Sequence, residues 1–132
     1  MKVIAVDYGS ARTGVAVSDP TGTIARPLGV VERASSGSGL ERLARLVREH
    51  RAERVVVGLP LTLRGEHGAQ ARETEAFVEA LRAMLDVPVE SFDERFTTGL
   101  AERVGSAEAP EDARAAAHLL SSYLEWSSAA RE

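Results

Sequence analysis

Val3-Ile-Ala-Val-Asp7-Tyr-Gly9-Ser-Ala-Arg12-Thr-Gly14-Val-Ala-Val-Ser-Asp19 opens the chain and decides its fold. A short apolar run, residues 3–6, ends in one acid, Asp7. A polar turn with glycine at each end follows, and a second apolar run, residues 15–17, leaves it. Two such runs joined by a Gly-flanked turn predict a β-hairpin. An aspartate at the mouth of a buried strand is costly to desolvate unless it meets a donor or a cation. Asp7 therefore either caps its own turn or holds a metal.

Working outward, residues 23–32 predict a third strand, bent or at an edge because Pro27 and Gly29 interrupt it. Residues 34–39, Ala-Ser-Ser-Gly-Ser-Gly, read as a flexible loop. Residues 40–51 predict a helix with Leu40, Leu43, Ala44 and Val47 on one face and arginines 42, 45, 48 and 51 on the other. Such an arginine row reads first as a solvated face. Val55-Val-Val-Gly-Leu-Pro60 has the continuous apolar character of an interior parallel strand. The loop after it carries Arg64 and His67, and loops at the carboxyl ends of strands are where open α/β sheets bind ligands. Residues 69–85 predict a helix buried through Phe77, Val78, Leu81, Met84 and Leu85. Residues 87–92 predict a further strand. Thr97 or Thr98 would cap a short helix over residues 99–104. Pro110 suits the first turn of a last helix that runs to about Trp126 and packs through Ala113, Ala116, Ala117, Leu120 and Leu124. Residues 127–132 read as a frayed tail, leaving one domain over residues 1–126. Strand–helix alternation after a meander means an α/β domain with a mixed sheet.

Composition narrows the function. The 132 residues contain no cysteine, which excludes disulfides, thiolate zinc sites and thiol nucleophiles and suits a reducing cytoplasm. No apolar run reaches the roughly 18 residues of a membrane helix, and no secretory leader is expected. With a net charge of −4, the chain is not one that binds nucleic acid by bulk charge. Any such partner would need a local basic patch, or cations that offset an acidic centre.

An acidic centre is what the element ends supply: Asp7 after the first strand, Asp93-Glu94 after the last, and Asp112 at the start of the last helix. Converging carboxylates repel, and burial raises their pKa values. Divalent cations remove that penalty, and oxygen ligands suit Mg²⁺ or Mn²⁺. Two such ions about 3.5–4 Å apart hold a phosphodiester, activate water and stabilise the leaving oxygen. Taken singly, Asp112 is as readily a helix-dipole partner and Asp93-Glu94 a surface turn.

Four segments, in order, resemble the YqgF (RuvX) family: Ala5-Val-Asp-Tyr-Gly-Ser-Ala-Arg-Thr-Gly-Val-Ala-Val-Ser-Asp19, Val57-Gly-Leu-Pro60, Phe92-Asp-Glu-Arg-Phe-Thr-Thr98 and Asp112-Ala-Arg-Ala-Ala-Ala-His-Leu-Leu-Ser-Ser-Tyr-Leu124. The resemblance implies a ribonuclease-H-like fold related to Holliday junction resolvases. It also implies a cytoplasmic nuclease acting on ribosomal RNA precursor or branched DNA, as monomer or homodimer and with no membrane. Asp7, Glu94 and Asp112 would then be the catalytic metal ligands, and Arg12, Arg64 and Arg95 would steer phosphate. The segment before the last helix, residues 99–111, is shorter than the family's usual lysine-bearing one, with Arg103 its sole base. Two rival readings are a non-catalytic factor binding RNA or the transcription machinery, and an ATPase-like phosphate loop in the hairpin.

Overall fold

The structure, a computed structural model, describes residues 1–61, 64, 65, 67–96 and 109–130, and of 129 and 130 the backbone alone. Five strands form one sheet: β1 (Val3–Asp7), β2 (Arg12–Ser18), β3 (Ala25–Glu32), β4 (Arg54–Leu59) and β5 (Val89–Asp93), in the order β3-β2-β1-β4-β5. β1, β2 and β3 are antiparallel neighbours, whereas β4 runs parallel to both β1 and β5. The expected meander and interior parallel strand are both present.

Side chains alternate across a strand, and here both faces are covered. Ile4, Val6, Val15, Val17, Val55 and Val57 face a layer made by α1 (Gly37–Glu49) and α2 (Ala69–Met84). Val3, Ala5, Ala16 and Val56 face the other helix, α3 (Glu111–Ala130), which buries Ala113, Ala116, Ala117 and Leu120 against them. Alanines on both sides of this contact let α3 lie close to the sheet.

The edge strand β3 accommodates Pro27, which has no N–H to donate. Gly29 pairs with Val15 and Pro27 with Ala16, so Leu28 is an extra residue and bends the strand. The helices differ from the sequence expectation in their bounds and in one residue expected to be buried, Met84. Helix α1 begins at Gly37, inside the glycine–serine stretch, because the Ser36 side chain accepts from the N–H of Gly39 at 3.1 Å and caps it. Met84 is 44% exposed at the last residue of α2, where it lines an open groove with Val47 and Leu85. Helix α3 continues to Ala130 rather than ending near Trp126. The short helix expected over residues 99–104, with its Thr97 or Thr98 cap, lies outside the described residues. Among the described residues no helix is long and apolar enough to cross a membrane.

Candidate active site

Val3 and Ala5 face α3, so period two puts Asp7, the last residue of β1, on that face as well. Its neighbours there carry no side chain. Gly14 stands opposite it on β2, and Gly58 follows Val57 on β4, the partner of Val6. A Cβ on Gly14 would lie 1.8 Å from the carbonyl oxygen of Asp112, and one on Gly58 would lie 2.6 Å from Glu94 Oε1. The two gaps therefore admit the first turn of α3 on one side and the Glu94 carboxylate on the other. Glu94 begins a 3-10 turn (Glu94–Phe96) directly after β5. The hairpin turn is itself fixed. The buried Thr13 hydroxyl donates to the carbonyl of Gly9 at 3.1 Å and accepts from its N–H at 3.3 Å.

Asp7 and Glu94 are hydrogen-bonded to each other. Burial, then the charge and hydrogen bond of Asp7 and the charge of Asp93, push Glu94 up to about 7. Burial also raises Asp7; the bond from Glu94 works against that rise and the charge of Asp112 adds to it. Two carboxyls this close favour holding one proton between them. Asp112 is turned to another partner: its Oδ2 pairs with Arg12 Nε at 3.0 Å. Accordingly, among the described residues no three acid or histidine side chains close on a single cation position. The structure brings Asp7 and Glu94 into contact and Asp112 alongside, held off by Arg12.

Oxygen donors alone, two of them sharing a proton that a cation would replace, on a floor cleared by two glycines, fit a hard divalent ion such as Mg²⁺ or Mn²⁺. The basic residues divide. Arg12 stands at this site. The Arg95 guanidinium is taken up by Asp93, with Nε at 2.9 Å from Oδ2 and 3.1 Å from Oδ1, and it abuts Gly65. This pairing lowers the Asp93 carboxyl. Arg64, next to Gly65, is exposed. His67 pairs with Glu75 of α2 at 2.9 Å.

Sequence reasoning did not single out Tyr8, which stacks on Phe77 at 4.3 Å and donates to Glu73 at 3.1 Å, tying the hairpin to α2. Nor did it assign Gly14 and Gly58 their role. Their signal is strand parity, which becomes readable only once the pairing register is known.

The family described as RuvX, Holliday junction resolvase, matches residues 1–126. A protein of Chloroflexus aurantiacus, provisionally named a pre-16S rRNA nuclease, is 40% identical over 93% of this chain and 86% of its own length. One of Syntrophomonas wolfei with the same provisional name is 35% identical over 100% of this chain and 99% of its own. Among solved structures, T. thermophilus RuvC in complex with a Holliday junction substrate superposes with a TM-score of 0.71 at 18% identity, covering 98% of this chain and 96% of that one. The fowlpox virus Holliday junction resolvase gives 0.55 at 13% identity, over 96% and 99%. These two likenesses show a shared ribonuclease-H-like fold.

Proposed function

The chain belongs to the RuvX family, and from that premise we propose that it is a metal-dependent endonuclease of structured nucleic acid, acting in the cytoplasm. The observation that carries this reading is geometric: Gly14 and Gly58 flank Asp7, and the Asp112 backbone and the Glu94 carboxylate close on the gaps they leave. These three residues would hold Mg²⁺ or Mn²⁺. Bound there, the cation supplies Lewis-acid polarisation of a phosphate and a water acidic enough to attack it.

The protein's own residues prepare that site. Burial raises the carboxyls of both Asp7 and Glu94, so ionising both is costly until positive charge compensates them. Asp112 joins them by leaving Arg12. That ion pair is exposed at both ends, and such pairs contribute about 0–1 kcal/mol, so the exchange is easy. Arg12, once released, presents a planar fork of donors to a phosphate oxygen. Arg95 acts differently from a free phosphate ligand: clamped by Asp93, it supports the loop at Gly65 and so places Arg64.

The names of the relatives favour pre-16S ribosomal RNA as substrate, and the family description favours a Holliday junction, a four-way DNA junction. Side-by-side cleavage of both separates them. Asp7→Asn should keep the fold and abolish Mg²⁺- or Mn²⁺-dependent cleavage of either substrate. A variant that cuts at the wild-type rate would overturn the assignment.

A further inference from the structure

The arginines on the exposed face of α1 play no part in the site described above, and they do not share one environment. Arg48 and Arg51 line the groove at the C-terminal end of α1, with Met84 and Asp86. Arg42 instead lines a cleft of about 380 Å³ with Arg12, Glu32, Ser38, Gly39 and Pro110. That cleft adjoins the site, because its Arg12 is paired with Asp112 and its Pro110 leads into the first turn of α3.

We propose that this cleft carries the sugar–phosphate backbone of the substrate strand away from the carboxylates, with Arg42 contacting a phosphate; the proposal rests on the nuclease reading. Three observations support it. First, Arg42 makes no ion pair among the described residues, so its guanidinium is available for a bidentate contact with phosphate. Second, the cleft is lined by two arginines against one carboxylate, Glu32; the Arg12–Asp112 pair balances its charge, and release of Arg12 would leave it net positive. Third, the two arginines are held in fixed relation by backbone rather than by a loose loop. The N–H of Arg33 donates to the carbonyl of Ala11, next to Arg12, at 3.0 Å. Gly39, one turn before Arg42, lies so close to this junction that a Cβ on it would be 2.3 Å from the Arg33 carbonyl oxygen. Arg33 itself has φ +48°, a left-handed conformation that is unfavourable for an L residue. The local strain is held at the joint between the hairpin turn and α1, the joint that sets the cleft's width.

The contact is to backbone, so it is indifferent to base sequence and serves RNA and DNA alike. The test is binding without cleavage: fluorescence anisotropy of a labelled RNA stem with a single-stranded flank, and of a four-way DNA junction, in EDTA. Arg42→Ala should weaken both by roughly tenfold and make the slope of log Kd against log salt shallower by about one. Arg48→Ala, on the same helix but in the other groove, should leave both quantities unchanged. Glu32→Gln should tighten binding. If Arg42→Ala binds like wild type or like Arg48→Ala, the cleft assignment is overturned while the nuclease reading stands. If instead Asp7→Asn still cleaves, the nuclease reading falls and the binding result is untouched.

Discussion

Glu94 is a glutamate that titrates at about 7 because it is buried against another acid, and this makes the stability of the metal-free protein depend on pH. Its folded-state value lies above the unfolded one of about 4.3. Between those values the folded chain holds more protons than the unfolded chain, so stability is greatest at the acid end and falls as pH rises towards 7. In EDTA, the melting temperature should therefore drop between about pH 5 and pH 7.5, and Glu94→Gln should flatten the drop. A flat wild-type profile, or a slope that survives the substitution, would refute the shared-proton pair. Asp19 works in the opposite direction and in a separate window. The N–H groups of Ile24 and Thr23 donate to its Oδ1 at 2.9 and 2.8 Å, which depresses its carboxyl. Its contribution is present above about pH 4 and fades only on further acidification.

At the scale of elements, two glycines on the strands that flank β1 do different jobs. A Cβ on Gly14 meets backbone, the Asp112 carbonyl, which can move only if α3 moves. Gly14→Ala should therefore lift the helix from the sheet and destabilise the fold by about 3 kcal/mol, read by urea denaturation. A Cβ on Gly58 meets chiefly the far end of a side chain, Glu94 Oε1, with Leu119 Cδ2 next at 3.0 Å. Gly58→Ala should cost less stability and more cleavage activity, because it displaces a metal ligand. Equal effects of the two substitutions on both measurements would mean that the gaps are not specialised. Helix α1 shows the same dependence on close approach. Its first turn is glycine and serine, poor helix formers by composition, yet the Ser36 cap and the contact of Gly39 with the Arg33–Ala34 backbone hold it helical.

The whole molecule is one sheet between two apolar layers, so neither layer can come apart without exposing the strands that both share. The sole tryptophan, Trp126, belongs to the α3 layer, with its ring 5.6 Å from Phe92 and 6.0 Å from Tyr123. Its fluorescence transition in urea should coincide with that of far-UV circular dichroism, which reports all the helices and strands. An earlier fluorescence transition would mean that α3 detaches independently. The two short apolar runs within residues 3–17, the continuous run at 55–59 and the helical period of residues 69–85 were by themselves enough for a mixed α/β sheet flanked by helices, since each is a local property of the chain. The candidate acids Asp7, Glu94 and Asp112 were proposed from their places at element ends and from the family motifs. Tertiary structure alone decided that Asp7 lies beside Glu94, that Asp112 pairs with Arg12, that Gly14 and Gly58 leave gaps on either side of Asp7, and that Arg42 and Arg48 line different grooves. Each of these depends on the register between strands distant in sequence and on the path of α3 across them. No periodicity within a single segment encodes either.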